Sequence, residues 1–296
     1  MGKKFCRVVV ILFMFLLLSG CSFFRSESAN SEFIPNLNRE IKKTSTVKIL
    51  FVGNSYTYAF AMPEILKELA ASKGYQIEYD MQTPGGETFE RHWKKGKALS
   101  KINSGKYDII IFQDQSYEPV CDPENMFKYG KLLLKAAEKV NARRILYMTM
   151  AYKAPLKWMK KDDADAKRCL ALYPNMVGSL ADSYRKLAKE TDSEVAPVGL
   201  AWNMAYKSIP GLNLHVADNS HPNVKGACLT ALVFFSVIYN EKPENMPTEI
   251  SLNVHKRGRL YQNKIVLAPD LLKQLENIAW ETVKSESKNV AHTSAL

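Results

Sequence analysis

Short apolar runs and longer stretches of helical periodicity alternate along most of this chain. Residues 47–52, VKILFV, close on four consecutive apolar positions bounded by Gly53, the pattern of a strand buried in a parallel sheet. Gly53, Asn54 and Ser55 then form a turn. Pro63, Ile65, Leu66, Leu69 and Ala70 make a helical stripe with proline in its first turn, and Gly74 suits the stop. Tyr75 to Gln82 alternates as a second strand would. A loop at 83–88 and a polar segment with His92 and Trp93 follow. Tyr107 to Phe112 is then apolar throughout after Asp108, which predicts a central third strand. Asp122-Pro123-Glu124 starts a helix carrying Met126, Gly130, Leu133, Leu134, Ala137 and Val140 on one face.

Arg144 to Met150 predicts a fourth strand, and residues 151–172 a long polar crossing. Pro174 opens a helix with Val177, Leu180, Ala181, Tyr184 and Leu187 on one side. Glu194 to Val198 reads as a fifth strand and Gly199 to Tyr206 as helix. Val224 to Tyr239 is apolar nearly all round, as befits a buried helix. This alternation predicts a three-layer α/β/α sandwich with a five-stranded parallel sheet, here spanning residues 47–240. Residues 241–266 carry no clear pattern, and Asp270 to Val283 predicts a terminal helix; together 241–296 form a C-terminal extension. In open α/β sheets the chemistry sits outside the carboxyl ends of the strands, where Ser55 stands. A lone serine there can equally cap the segment that follows it.

Composition adds a leader and removes one class of partner. Lys3, Lys4 and Arg7 precede an apolar core from Val8 to Leu18, too short for a comfortable membrane span and suited to a signal peptide over residues 1–20. Leu18-Ser19-Gly20-Cys21 resembles a bacterial lipobox, which implies cleavage before Cys21, its lipidation, and anchoring to a membrane of the cell envelope. Residues 21–46 are then a lipidated tether. Losing the leader takes three of the +11 formal charges and leaves +8. No Lys/Arg block interleaves with aromatics, so nucleic acid is not an expected partner. Cys121, Cys169 and Cys228 lack metal-type spacing and read as buried thiols or one loose pair.

Three further features matter only in combination. Asp218 and His221 stand three apart in a loop before a helix, where a carboxylate can hold an imidazole in one tautomer or simply cap the helix. Gly85-Gly86 marks a turn whose exposed N–H could face a reacting oxygen. Gln115 ends the central strand and offers a side-chain amide.

In this order the pieces resemble the SGNH hydrolase superfamily, also called GDSL-type esterases. Gly53-Asn54-Ser55 stands at the nucleophile block, Gly86-Glu87-Thr88 at the glycine block, and Gln113-Asp114-Gln115-Ser116 after the central strand. Asp218-Asn219-Ser220-His221-Pro222 matches the closing block. Asn54 replaces the usual aspartate, which is not catalytic in the family, and Gln115 replaces the oxyanion-hole asparagine. With YDIIIFQDQS and APVGLAW, the pattern is similar to an SGNH branch common among bacterial lipoproteins.

The resemblance implies a flavodoxin-like fold and a Ser55–His221–Asp218 triad. It also implies an oxyanion hole from the Ser55 and Gly86 N–H groups and the Gln115 amide, and no need for a metal or organic cofactor. It implies a small ester, acetyl above all, on a polysaccharide or other glycan. Tyr56, Tyr58, His92, Trp93, Tyr117 and Trp202 are expected at the rim, where aromatic faces could hold a sugar ring. A non-catalytic glycan-binding lipoprotein and an acyltransferase remain alternatives. A nucleotide-binding domain is disfavoured, because neither G-x-G-x-x-G nor G-x-x-x-x-G-K-[ST] follows a strand.

Overall fold

A computed structural model describes residues 41–256 and 259–294. The leader, Cys21 and the tether up to residue 40 lie outside the described residues. The chain runs β1 (Thr46–Val52), α1 (Ser55–Tyr58), α2 (Met62–Ser72), β2 (Gln76–Gln82), α3 (Phe89–Lys95), α4 (Lys97–Asn103) and β3 (Ile109–Phe112). It continues with α5 (Glu118–Cys121), α6 (Pro123–Glu138), β4 (Arg143–Tyr147), α7 (Ala164–Leu172), α8 (Met176–Thr191) and β5 (Glu194–Ala196). Then come α9 (Val198–Ser208), α10 (Val224–Tyr239), β6 (Glu249–Lys256), β7 (Arg259–Val266) and α11 (Pro269–Ser294).

Five strands pair in parallel in the order β2-β1-β3-β4-β5. This is the doubly wound order in which the chain reverses direction between β1 and β3, leaving a crevice at their carboxyl ends. Ile49 to Val52, Ile109 to Phe112 and Ile145 to Tyr147 are buried, which explains why these strands read as unbroken apolar runs. Val52 lies opposite both Gln82 and Phe112, and Phe112 opposite Leu146. The residues that follow these four therefore emerge along one edge of the sheet.

Helices flank the sheet. α10 packs with α2 and with α9, and α6 packs with α3, α4 and α8. α10 is buried on nearly every side, as its composition predicts. Its Gly226 is required by close approach: a Cβ there would stand 2.5 Å from both the Leu214 carbonyl oxygen and the Trp202 ring.

Several features differ from the sequence-based expectation, among them α3 and α4 within the polar segment that follows residue 88 and a β5 that ends at Ala196 rather than Val198. β4 ends at Tyr147 rather than Met150. The polar crossing contains α7, whose N-terminus is capped by Asp163 accepting from the Ala166 N–H. Residues 249–266 form an antiparallel hairpin in which Ile250 faces Ile265, and Ile250, Leu252, Ile265 and Leu267 are buried. β6 alternates through Ile250, Leu252 and Val254, while the polar run Gln262-Asn263-Lys264 breaks the period in β7. β6 packs against α2, and α11 against α9 and α10, so both parts of the extension complete the core.

Cys121 at the end of α5 and Cys169 in α7 form a disulfide, and Cys228 is a buried free thiol. The bond ties the crossing to the segment that follows Gln115. Replacing both half-cystines with serine is expected to lower unfolding free energy by about 2–4 kcal/mol, the effect of releasing a loop of this length. Denaturant titration of the oxidised protein and the double variant reads the difference; identical midpoints would contradict it.

Candidate active site

The first strand ends in a turn that only particular residues can make. A Cβ on Gly53 would lie 2.6 Å from Thr57 Oγ1 and 2.7 Å from Gln113 Oε1, so the close packing of β1 and β3 requires glycine. Asn54 is buried, and its carbonyl accepts from the Thr57 N–H at 3.1 Å. Its Oδ1 accepts from the Tyr56 N–H (3.1 Å), its own N–H donates to Gln113 Oε1 (2.9 Å), and its Nδ2 donates to the Glu87 carbonyl (2.9 Å). Asn54 therefore caps α1, and Ser55 is free to present its hydroxyl.

The Ser55 hydroxyl lies 2.8 Å from His221 Nε2, across 166 residues of sequence. His221 Nδ1 lies 2.6 Å from Asp218 Oδ2. The other Asp218 oxygen accepts the backbone N–H of Ser220 (2.8 Å) and of His221 (2.9 Å), so one carboxylate both shapes the loop and orients the ring. With Nδ1–H donating to Asp218, the Nε2 lone pair faces the serine proton. Partial burial would raise the Asp218 pKa. The two N–H donors and the imidazole outweigh it and hold the carboxyl below the ordinary range. Asn219 adopts φ 61°, a left-handed value that asparagine tolerates, and its carbonyl accepts from the Lys153 N–H.

Gly86 sits in the Pro84–Glu87 turn with φ +64° and open space around its would-be Cβ. The Asn54–Glu87 bond ties this turn to the nucleophile. Gln115 follows β3, and its Oε1 accepts from the Tyr117 N–H at 2.8 Å. That commits the amide oxygen and leaves Nε2 as the donor end. The structure thus brings Ser55, His221 and Asp218 into one hydrogen-bonded line, and sets the loops of Gly86 and Gln115 beside it.

The expected aromatic rim is corrected by burial. Tyr56 is 3% exposed: its ring meets the His221 imidazole edge-on at 5.2 Å, and its hydroxyl bonds Ser220 Oγ at 2.5 Å. It braces the histidine and offers no face to substrate. His92 is 2% exposed and its Nε2–H donates to the Gly53 carbonyl at 2.8 Å. Burial lowers its pKa and favours the neutral ring. Trp202 is 1% exposed, wedged between Gly226 and His215, and forms a wall of a cavity of about 360 Å³ that it shares with Tyr206 and His215. Trp93 is half-buried against the core, and Tyr117 is half-buried against Trp158. Tyr58 is exposed, with its hydroxyl 3.5 Å from the position a Cβ on Gly85 would take. Phe60, also exposed, was no part of the expected rim, because its left-handed backbone (φ 51°) has no signature in the sequence.

No protein-family model matches the chain, and no curated protein sequence does. Solved structures do. A candidate SGNH hydrolase from Slackia heliotrinireducens superposes with a TM-score of 0.54 at 23% identity, covering 66% of this chain and all of the other. A DUF4886 family protein from Bacteroides uniformis ATCC 8492 superposes with a TM-score of 0.63 at 18% identity, covering 81% of this chain and 95% of the other. The fold is that of the SGNH hydrolases.

Within the SGNH fold, the two departures from the family pattern acquire definite geometry. Asn54 makes a cap and a cross-loop bond at once, using an amide N–H that an aspartate lacks. Gln115 spends its extra length on a turn that holds its own oxygen.

Behind the catalytic loop, His215 is buried. Its Nε2–H donates to the Ala151 carbonyl, and Nδ1 accepts from the Tyr206 hydroxyl at 2.6 Å. Burial lowers its pKa from 6.5 to about 4. The unfolded chain therefore binds this proton first on acidification. Stability from this site is complete above the unfolded value and is lost as pH falls from 6.5 to about 4. His215→Asn is expected to flatten that part of the stability–pH curve by up to about 1.4 kcal/mol per pH unit. Thermal melts of both proteins from pH 7 to 4 test this, and parallel curves would contradict it.

Proposed function

We propose that this protein is a serine esterase that removes small acyl groups, acetyl above all, from a carbohydrate through an acyl-enzyme. The supporting observation is the unbroken hydrogen-bonded line from Asp218 through His221 to the Ser55 hydroxyl. His221 Nε2 takes the serine proton as Oγ attacks the ester carbonyl, while Asp218 stabilises the imidazolium. The Ser55 and Gly86 N–H groups and Gln115 Nε2 stabilise the oxyanion. His221 then returns the proton to the leaving alcohol, and water repeats the sequence on the acyl-enzyme.

The carbohydrate half of this reading is supported by the two exposed aromatic side chains just beyond the nucleophile, Tyr58 and Phe60, whose faces suit the apolar side of a pyranose. The leader and Cys21 extend the proposal to a lipid-anchored enzyme of the cell envelope that meets its glycan at a surface.

Ser55→Ala is expected to abolish hydrolysis of p-nitrophenyl acetate with the fold intact, and undiminished activity would remove the proposal. Asp218→Asn should lower kcat by about 10³–10⁴-fold through loss of the correct tautomer. Gln115→Ala should lower it by about 10²-fold as one oxyanion donor is lost. Replacing Tyr58 and Phe60 together with alanine should raise KM for an acetylated oligosaccharide and leave KM for p-nitrophenyl acetate unmoved. Equal effects on both esters would count against the sugar.

A further inference from the structure

Asp114, the second residue past β3, is 1% exposed and takes no part in the chemistry described above. A single oxygen of its carboxyl, Oδ1, accepts two backbone N–H groups from different loops: Phe89 at 2.8 Å and Gln115 at 2.8 Å. Phe89 opens α3, three residues after Gly86. Gln115 carries the amide assigned to the oxyanion. We propose that Asp114 is a positioning residue that sets the separation of the two loops bearing these oxyanion donors, and so acts on kcat without touching substrate. The inference rests on the esterase reading.

Three side chains make a closed triangle of loops. Asn54 joins the nucleophile turn to the glycine loop through the Glu87 carbonyl. Gln113 joins the β3 loop to the nucleophile turn, its Oε1 accepting from the Asn54 N–H and the Thr57 hydroxyl. Asp114 supplies the third side, between the β3 loop and the glycine loop. With one side missing, the remaining two act as hinges, and a shift of about 1 Å in a donor can cost 10²-fold in rate.

The accepting oxygen serves best on an uncharged group. An ionised carboxylate next to Gln115 would oppose negative charge developing on the substrate oxygen. Burial, with Glu118 and Asp122 adding to it, raises the Asp114 pKa well above the carboxylate range despite the two N–H bonds, and so favours the neutral acid. Asparagine matches that neutral form in size and keeps the accepting oxygen.

The test is steady-state kinetics on p-nitrophenyl acetate for wild type, Asp114→Asn, Asp114→Ala, Gln115→Ala and the Asp114→Ala/Gln115→Ala pair, with circular dichroism melts of each. Labelling of wild type by a fluorophosphonate, dependent on Ser55 and His221, is measured first. Asp114→Ala is expected to lose about 10–100-fold in kcat with KM unchanged, as for partial loss of an oxyanion donor. The double variant should lose less than the product of the two single losses, because part of the Asp114 effect runs through the Gln115 amide and only the part through the Gly86 loop remains. Asp114→Asn should restore kcat close to wild type. Additive losses, or an Asp114→Ala variant with full kcat, overturn the inference while leaving the esterase standing. If Asp114→Ala does not fold, Asp114→Asn decides: folded with kcat near wild type it supports the inference, and folded but slow it overturns it. A folded wild type inert to both reagents overturns the esterase reading, and this inference with it.

Discussion

Backbone N–H and C=O groups that leave the end of a buried strand have no ladder partner, and burying them unpaired costs free energy on the scale of a lost hydrogen bond. At the carboxyl edge of this sheet the chain meets that demand with side chains. Gln113 serves the Asn54 N–H, Asn54 the Glu87 carbonyl, His92 the Gly53 carbonyl, and Asp114 the Phe89 and Gln115 N–H groups. Asp218 does the same for Ser220 and His221. The bonds that make the loops affordable to bury also fix where the hydroxyl, the imidazole and the amide donors stand. Stability and catalytic geometry here come from one set of contacts.

Tyr56 shows how tightly the two are joined. It adjoins Ser55 in sequence, yet its ring supports His221 and its hydroxyl bonds Ser220, more than 160 residues away. Ser55 and His221 are therefore linked twice, once through their own hydrogen bond and once through this aromatic brace. Displacement of the 218–221 loop disturbs both.

The layered architecture was legible because the central strands β1, β3 and β4 are largely buried on both faces and most flanking helices on one, so burial prints a period on the sequence. The antiparallel pair β6 and β7 was not: the short alternation at Ile250, Leu252 and Val254 is followed by the polar run Gln262-Asn263-Lys264, which breaks the period in β7. The Ser55, His221 and Asp218 set could be nominated from spacing and resemblance, but its convergence depends on how the 218–221 loop is held, by the Lys153 N–H on the Asn219 carbonyl and by Tyr56 on Ser220, which no local pattern reports. The rim was misread for a related reason: Tyr56, His92 and Trp202 look the same in sequence whether they face solvent or brace a loop. Gln113 and Asp114 stood in plain view after the central strand, yet their roles exist only once the glycine loop lies against them.

The catalytic loop is open on its outer side: the His221 and Asp218 side chains are 38% and 48% exposed. Bulk solvent thus reaches the imidazole directly. On the esterase reading proposed above, water would stand beside an acylated Ser55, and a sugar hydroxyl competing for that group would have to be held in place to win, which would incline the site toward hydrolysis and away from exchange between alcohols.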